Sequence, residues 1–327
     1  MVATKLDVKN SVIFVMVALV VVAAIVVLTV TSGTGATVAA GGETLRIGVT
    51  PNSYYLPIFV AVNRSFFRKE GFSPQVVFMR STNDNVNALV EGEVDITGLA
   101  SSGILSVEAR SPDTLVLLQT QNLGSYVMLS RGSDNYTLKD LEGKRIGTWN
   151  SPTSSTYLSF IFANASRKPN IESMDMTLLN QALNTSLVDA IFTTGNYAGV
   201  GRALFGFRTV SNNPVVEKTF PHFFNGGTVT TAELARNNPE KARRIMRALD
   251  KAVSFINGNN TEARSIMANA LNISDDGIAR TTPLDEYVPI GELKRSDVER
   301  VEQALLGAGA LPRAVNVTTL LELIGKG

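Results

Sequence analysis

Small polar side chains stand where three predicted β-strands give way to predicted helices. The hydroxyl and amide groups of such residues, together with the backbone N–H groups at a helix N-terminus, can hold a neutral or anionic molecule by hydrogen bonds. The residues after the first, third and fifth strands are Asn52, Ser53, Tyr54 and Tyr55; Ser101 and Ser102; and Ser151, Thr153 and Ser154. We predict that they bind ligand.

Aromatic and amide side chains add to this set. Tyr54, Tyr55 and Trp149 present ring faces on which a ligand ring can stack. Asn196 and Asn225 lie in later loops of the same kind. The rings and Ser151 have structural alternatives, because one Tyr or the Trp can pack in the core, and Ser151 can simply cap a helix that begins at Pro152.

Asp95 and Asp189 each stand at the beginning of a predicted strand. The expected role of their carboxylates is to accept hydrogen bonds from neighbouring backbone N–H groups. Asp189 has a second interpretation, as a counter-charge for a ligand amine, and we include it among the candidate ligand-binding residues. His222 is the single histidine of the chain and has no paired acid or nucleophile nearby in sequence, which favours a structural role.

Composition excludes several classes of function. The absence of Cys removes disulfides, thiolate metal sites, a Cys nucleophile and a lipid anchor on Cys. With one His, a zinc or iron site is not expected, and we predict no catalytic residue, no metal and no cofactor. The net charge of +1 is spread evenly, so no nucleic-acid partner is predicted.

Strand and helix patterns alternate along the chain, which is typical of parallel sheets with crossover helices. The predicted strands are Leu45–Thr50, Gln75–Met79, Val94–Thr97, Leu115–Gln119, Lys144–Trp149, Met176–Leu179 and Val188–Phe192. The predicted helices run from Pro57 to Gly71, onward from Ser81, from Ser102 to Ala109, onward from Pro152, and from Glu233 to Asn257.

The pattern occurs twice, with a change of unit between Gln121 and Tyr126, and so predicts an α/β protein of two similar lobes. Ligands bind where the carboxyl ends of parallel strands gather, so the loops of the two lobes should form a cleft. The loops that the sequence predicts to face the cleft carry no Lys, Arg, Asp or Glu, which favours a neutral or weakly anionic ligand.

Residues 11–30 form an uncharged, mostly apolar run. As a helix they would span roughly 30 Å, the thickness of the hydrocarbon core of a bilayer. The run is longer than the apolar part of a usual signal peptide, which favours an uncleaved anchor, although Val38-Ala39-Ala40 would suit a cleavage site. Lys5 and Lys9 precede it and indicate a cytoplasmic N-terminus with the rest of the chain outside.

Five segments resemble a known family. They are LRIGVTPNSYYLPIFVAVNRSFFRKEGFSPQVVF, NALVEGEVDITGLASSG, TLKDLEGKRIGTWNSPTSSTY, VDAIF and NNPEKARRIMRALDKAVSFI. Their order and spacing resemble the NMT1/THI5-like and aliphatic-sulfonate-binding (SsuA-like) family of solute-binding proteins. The resemblance covers residues 45–272 and is weakest from 164 to 225, where the usual Gly before the second "vDA" is replaced.

The resemblance implies a periplasmic-binding-protein type II fold that closes on a small solute and delivers it to an ABC permease. The lobes would be 44–121 plus 222–327 and 122–221, preceded by a cytoplasmic segment 1–10, the anchor 11–30 and a flexible linker 31–43. We expect a monomeric ectodomain on the outer face of a single-membrane cell, such as an archaeon, holding a sulfonate-, taurine- or nitrate-like solute or a pyrimidine or thiamine precursor.

Two alternatives share this fold. One is a membrane-anchored adaptor that senses a ligand, and the other is an enzyme similar to the pyrimidine-precursor synthases. Those enzymes rely on a Cys-rich segment and a reactive His in the first lobe, whereas this chain has no Cys and its single His lies late in the sequence. Seven Asn-x-Ser/Thr sequons suit a glycosylated surface protein, although polar loops also produce them by composition: Asn63, Asn135, Asn164, Asn184, Asn259, Asn272 and Asn316.

Overall fold

The computed structural model describes residues 42–123, 125–150, 152–215 and 224–323. The predicted anchor at 11–30, most of the predicted linker, Ser151 and His222 lie outside these ranges. Within the described ranges, no helix combines the length and the apolar character needed to cross a bilayer.

A six-stranded sheet forms the centre of the first lobe. Its outer half is parallel, with β1 between β2 and β3, whereas β10 and β11 pair antiparallel with their neighbours. The strand order is β11-β4-β10-β3-β1-β2. The strands are β1 (Glu43–Val49), β2 (Phe72–Phe78), β3 (Ile96–Ala100), β4 (Leu115–Leu123), β10 (Gly226–Thr231) and β11 (Glu286–Val288).

A five-stranded sheet forms the centre of the second lobe and repeats this plan. A parallel trio has β6 between β7 and β8, and β5 pairs antiparallel with β8 and β9. The strand order is β7-β6-β8-β5-β9. The strands are β5 (Tyr126–Ser130), β6 (Arg145–Trp149), β7 (Asn170–Met174), β8 (Ala190–Thr194) and β9 (Arg208–Asn212).

Helices pack on both sheets. In the first half of the chain they are α1 (Leu56–Asn63), α2 (Phe66–Lys69), α3 (Thr82–Val90), α4 (Ser101–Arg110), α5 (Pro152–Ile161), α6 (Leu179–Asn184) and α7 (Gly195–Phe205). In the second half they are α8 (Ala232–Asn237), α9 (Pro239–Gly258), α10 (Asn260–Ala270), α11 (Asp276–Thr281), α12 (Arg295–Gly307) and α13 (Val317–Leu320).

The long helix α9 shows why the first lobe is stable. Its buried residues recur every three or four positions and form one apolar face. That face packs against α1 and α2, while the side chain of Asn238 accepts a hydrogen bond from Lys241 N at 3.0 Å and caps the helix. The buried residues are Ala242, Ile245, Ala248, Leu249, Ala252, Val253 and Ile256.

The predicted strand Met176–Leu179 is wrong. These residues form a 3-10 turn and the start of α6, because the Asp175 carboxylate accepts a hydrogen bond from Thr177 N at 2.8 Å and turns the chain. The strand lies earlier, at Asn170–Met174, where it pairs in parallel with β6. It is an edge strand with polar, exposed positions, so its sequence lacks the apolar run of a buried strand.

Two predicted helices are each divided in the structure. The helix predicted from Pro57 to Gly71 breaks into α1 and α2 at Ser65, whose φ of 58° is left-handed. The helix predicted from Glu233 to Asn257 breaks into α8 and α9 before Pro239, because a residue that precedes proline avoids the helical conformation.

Candidate functional site

A cleft of about 1350 Å³ opens between the two sheets and is lined from both lobes. The first lobe contributes the loop after β1 and the starts of α4 and β10, and the second contributes the loop after β6 and the start of α7. The described lining is mostly neutral and combines aromatic, amide and hydroxyl side chains, which include Asn52, Tyr54, Tyr55, Ser102 and Asn225 on one side and Tyr126, Trp149, Asn150, Thr194 and Tyr197 on the other.

The loop after β1 is held rigidly in place. The side chain of Asn52 accepts a hydrogen bond from Tyr54 N at 2.9 Å and begins a 3-10 turn. Tyr54 Oη donates to Leu99 O at 2.7 Å, and Tyr55 Oη donates to Gly98 O at 3.2 Å. Both phenols are thereby tied to the end of β3, so the rings, rather than the hydroxyl groups, are the surfaces offered to a ligand.

The predicted serines begin α4, directly after β3. Ser101 is fully buried, and its Oγ lies 3.1 Å from Tyr157 Oη of the second lobe. Ser102 lies on the cleft wall and is 8% exposed. Ser101 therefore joins the lobes, and Ser102 is the serine of this pair that faces the cleft.

Asn225 lies beside these serines at the start of β10. Its backbone carbonyl accepts a hydrogen bond from Ser101 N at 2.8 Å, and its backbone N–H donates to Gln121 O at 2.8 Å. The side chain is 1% exposed, and its Oδ1 has no hydrogen-bond partner among the described residues. An unpaired buried acceptor is costly, so this oxygen is suited to receive an N–H or O–H donor.

Trp149 belongs to an aromatic wall at the end of β6. Its ring stacks on Tyr126, with centroids 5.9 Å apart and planes 6° apart, and on Phe192, with centroids 5.4 Å apart. Trp149 therefore packs against core residues and also lines the cleft, so the two interpretations of this residue are compatible. An aromatic ligand would extend this stack.

The loop after β6 leads into α5. Ser154 is buried, and its Oγ donates to Trp149 O at 2.6 Å, which closes the turn between strand and helix. Ser151 and the side chain of Thr153 lie outside what the structure describes. The role of these two residues toward a ligand remains a prediction.

Asn196 stands where the two lobes touch. Its Oδ1 accepts a hydrogen bond from Ser53 N at 3.3 Å, and Ser53 itself is buried against Gly195, with φ +52°. A Cβ at Gly195 would lie 3.4 Å from Ser53 Cβ. Ser53 and Asn196 are therefore brought together, as a contact between the cleft walls rather than as part of the described lining.

The structure does not place Asp189 among the residues of the cleft. It lies just before β8, at the opposite end of that strand from the cleft, and its carboxylate accepts hydrogen bonds from the backbone N and the guanidinium of Arg145 at 3.0 Å. Asp95 makes the equivalent contacts with Arg46 in the first lobe. Hydrogen bonds from Arg145 hold the pKa of Asp189 below its usual range, which fits an ion-paired carboxylate.

Charged residues also border the cleft, which the sequence argument missed. Arg80 follows β2 and Asp175 follows β7, so both stand at the carboxyl ends of parallel edge strands. The sequence signal was available, because a residue after any parallel strand is a candidate for the cleft. Both residues are exposed, so they lie at the rim and leave the interior of the cleft neutral.

Burial keeps the inner phenols uncharged. It raises the pKa of Tyr54 and of Tyr126 well above the usual value, and it raises the pKa of Tyr157 as well. These hydroxyl groups therefore act as neutral hydrogen-bonding groups at physiological pH. Within the residues that the structure describes, no group of three His, Cys, Asp or Glu side chains is arranged to hold a metal ion.

One buried carboxylate lies at the connections between the lobes. Asp285 accepts a short hydrogen bond from Ser125 N, and Tyr287 Oη lies 3.5 Å from its other oxygen. Ser125 stands between β4 and β5, whereas Asp285 immediately precedes β11. Burial raises the pKa of Asp285 to about 7.

The family model described as NMT1/THI5 like matches residues 52–263. No curated protein matches the chain by sequence. Among solved structures, the alkanesulfonate-binding protein SsuA from Xanthomonas axonopodis pv. citri, bound to MOPS, is 17% identical with a TM-score of 0.66, covering 85% of this chain and 97% of its own.

Two further structures are similar to a comparable degree. The periplasmic aliphatic sulphonate binding protein SsuA from Escherichia coli is 15% identical with a TM-score of 0.69, covering 85% of this chain and 91% of its own. The desulfurization enzyme DSZB is 17% identical with a TM-score of 0.65, covering 85% and 96%. These likenesses show a two-lobed α/β periplasmic-binding-protein fold, which is shared by binding proteins and an enzyme.

Proposed function

Since the chain belongs to the NMT1/THI5-like family, we propose that it is the extracytoplasmic substrate-binding protein of an ABC importer. It captures a small neutral or weakly anionic solute between its lobes and releases it to a membrane permease. The lobes are 44–121 plus 222–327 and 122–221, and the ectodomain acts as a monomer. The observation that carries this proposal is the cleft between the lobes, with neutral aromatic and amide walls and an unpaired buried acceptor at Asn225.

The contacts between the lobes support binding by closure. The Ser53–Asn196 and Ser101–Tyr157 pairs each join one lobe to the other across the cleft. A molecule held between these walls is enclosed by both lobes, and it gains contacts that neither lobe provides alone. Its binding free energy therefore favours the closed arrangement.

The proposed ligand-binding residues are those of the two walls. Tyr54, Tyr55, Trp149 and Ser102 supply ring faces and a hydroxyl group, while Asn52, Ser53, Ser101, Ser154 and Asn196 shape the loops that hold them. Asn225 supplies the buried acceptor. We retain Ser151 and Thr153 as ligand-binding residues because Ser151 directly precedes α5 in sequence and Thr153 belongs to its first turn, and we assign Asp189 to its ion pair with Arg145 instead.

The experiment that tests this function is native mass spectrometry of the purified full chain, followed by ligand titration. Sulfonates, taurine, nitrate, pyrimidines and flavins are screened for saturable binding, with a rise in the melting temperature that increases with ligand concentration. A ligand that co-purifies or saturates supports the proposal. Absence of saturable binding across these classes would contradict it.

The same samples separate binding from catalysis, which the shared fold leaves open. A binding protein returns its ligand unchanged after incubation, so the recovered ligand should have its original mass. A changed mass would favour an enzyme of the kind that DSZB exemplifies. The immobilised, ligand-loaded chain should retain a permease. If it retains a sensor protein encoded beside it instead, the adaptor function is supported.

We propose, in addition, that the protein is anchored in the membrane and glycosylated. An uncleaved helix at 11–30 would tether the lobes outside the membrane, so the protein from native membranes should retain its N-terminus and the full mass of 35.1 kDa before glycans are counted. All seven sequon asparagines are exposed, which supports glycosylation. Enzymatic deglycosylation should then lower the measured mass, whereas an unchanged mass would exclude glycans.

A further inference from the structure

A second cavity, of about 430 Å³, lies beside the connections between the lobes. Of the described residues that line the cleft, it shares Tyr126 alone. One side is formed by Ser125 and Tyr126, where β4 passes into β5. The other side is formed by residues 280–284, which join α11 to β11.

Three arginines from three helices border this cavity: Arg202 of α7, Arg264 of α10 and Arg280 of α11. Its described lining contains no Asp or Glu. Within the described chain, the ion pairs closer than 4.0 Å involve other residues, so no carboxylate neutralises these three guanidinium groups. Like charges gathered in this way repel one another.

Neutral acceptors hold two of the arginines in place. Arg202 Nη1 donates to Thr281 O at 3.0 Å, and its Nη2 donates to Thr209 Oγ1 at 2.9 Å. Arg264 Nη1 donates to Ala279 O at 3.2 Å. These bonds fix the orientation of the guanidinium groups but leave their positive charge unbalanced. Burial, and for Arg202 also the charge of Arg264, lowers the pKa of both groups.

A capping role explains only part of this arrangement. Arg202 and Arg264 reach carbonyl groups at the end of α11, which is a favourable place for a cation. Arg280 makes no hydrogen bond of this kind in the described residues and is exposed at the last turn of α11. Capping therefore does not account for the third arginine or for the absence of a carboxylate from the described lining.

We propose that this cavity binds a small oxyanion of the phosphate or sulfate class, between Arg202, Arg264 and Arg280 and outside the ligand cleft. Guanidinium groups bind such anions by charge-assisted hydrogen bonds and remain charged at any physiological pH, and Nη2 of Arg264 and the whole guanidinium of Arg280 have no acceptor among the described residues. The volume suffices for an inorganic ion or for a small phosphate monoester. The class of anion that this site takes does not depend on which solute the cleft takes.

The test is calorimetric titration of the full chain with inorganic phosphate at constant ionic strength, with chloride as the balancing anion. Saturable binding is expected. Arg280→Gln removes an exposed side chain and should weaken binding about tenfold, the size of one charge-assisted hydrogen bond. Arg264→Lys keeps the charge but removes the planar guanidinium group, so it should also weaken binding. The double variant Arg280→Gln/Arg264→Lys should show no saturable heat.

The matched control is Arg300→Gln, because Arg300 is exposed on α12 and outside both cavities. It removes the same charge and should leave phosphate binding unchanged. A melting-temperature rise alone does not count, because phosphate and sulfate stabilise proteins generally by exclusion from the surface. Affinity that is equal in Arg280→Gln, Arg264→Lys and the unmodified chain would overturn the proposal, as would the absence of saturable binding.

A parallel titration with glycerol phosphate distinguishes the two sources of this chemistry. Tighter binding than inorganic phosphate indicates an organic monoester, and weaker binding indicates the free ion. Either result supports the site if Arg280→Gln weakens it. Fluorescence of Trp149 in the cleft reports the solute separately, so failure of the oxyanion site and failure of the cleft remain distinguishable.

Discussion

At the scale of single residues, the cleft depends on a few buried polar atoms whose surroundings a sequence does not reveal. The sequence places Asn225 in a loop, and the structure adds that its Oδ1 is buried without a partner among the described residues. Nothing in the sequence marks Gln121 as part of the cleft, yet its Nε2 donates to Tyr54 O at 2.9 Å and supports the cleft wall. Residue type at a strand end suggests a site, but hydrogen-bond pairing depends on tertiary contacts.

Asn225→Ala should weaken solute binding about tenfold, because a ligand donor would lose its acceptor in a buried site. Quenching or shift of the Trp149 emission measures the affinity, since this is the single tryptophan of the chain. Thr193→Val serves as the control, because Thr193 Oγ1 is also buried and unpartnered but lies outside the described cleft lining. Equal affinities for Asn225→Ala and the unmodified chain would contradict the assignment.

Asp285 makes stability fall as the pH rises. Its pKa is about 7 in the folded protein against 3.8 for an unperturbed Asp, so the folded state binds the proton more tightly. This favourable contribution is complete below pH 3.8 and is lost between 3.8 and about 7 as the carboxylate ionises. A pKa raised from 3.8 to about 7 corresponds to about 4 kcal/mol.

Asp285→Asn removes this titration while Oδ1 can still accept from Ser125 N. The free energy of unfolding of the variant, relative to the unmodified chain, should therefore rise between pH 4 and pH 8. Denaturant unfolding at several pH values measures it, and contributions from ion-paired acids such as Asp95 cancel in the difference. The facing titratable groups are Tyr54, Tyr126 and Tyr287, whose pKa values are all raised, so they remain neutral throughout. A pH-independent difference would disprove the role.

At the scale of elements, the buried parallel strands and the capped helices are predictable, because each carries a local signal. Strands β1 and β6 have apolar runs that end in turn residues, and Ser81 and Asp84 form a capping box at the start of α3. The antiparallel strands β5 and β10 were not predicted. Strand β10 reads GGTVTT, a composition that is strand-like only between two neighbours that bury it.

Strand β10 depends on a glycine at its first position. Gly226 has φ +124°, and an added Cβ would lie 2.6 Å from Tyr54 Oη and closer still to Leu99 O. Gly226→Ala should lower the free energy of unfolding by about 2–4 kcal/mol through backbone strain and this clash, and should weaken solute binding because Tyr54 must move. Thermal unfolding measures the stability.

Gly258→Ala is the matched control, because a Cβ there meets no atom within 4 Å. Its melting temperature should equal that of the unmodified chain or exceed it slightly, since alanine restricts the unfolded chain. If Gly226→Ala is as stable as Gly258→Ala, then the close approach of β10 to β3 is not required.

At the scale of the whole molecule, closure should be open to covalent trapping. Because the chain has no native Cys, a disulfide can form only between introduced residues. A Cβ built on Gly195 would lie 3.4 Å from Ser53 Cβ across the cleft, close to the short end of the range for disulfides, although its φ of +52° strains any side chain placed there. Mild oxidation of Ser53→Cys/Gly195→Cys should consume both thiols within one molecule, as measured by thiol counting and gel mobility.

The single variants Ser53→Cys and Gly195→Cys provide the control, because each can form only intermolecular dimers. Solute added before oxidation should speed the intramolecular reaction by favouring the closed arrangement, and solute added afterwards should fail to exchange. Two thiols that remain free after oxidation would show that the lobes do not hold this separation in solution.

The oxyanion cavity and closure should be linked. Arg202 belongs to α7 of the second lobe, whereas Arg264 belongs to α10, which packs on α1 and α9 of the first lobe. Helix α11 joins them, because Thr281 Oγ1 donates to Gly199 O of α7 at 3.1 Å. An anion held by both arginines therefore favours the arrangement in which the lobes approach each other.

This linkage predicts that inorganic phosphate accelerates disulfide formation in Ser53→Cys/Gly195→Cys at constant ionic strength. At a phosphate concentration near the dissociation constant of the unmodified site, Arg280→Gln should greatly reduce the acceleration, whereas Arg300→Gln should leave it unchanged. Equal acceleration in all three backgrounds would indicate a general salt effect. Phosphate binding without acceleration would show that the anion occupies one lobe alone, because a ligand shifts a conformational equilibrium only by the difference between its affinities for the two states.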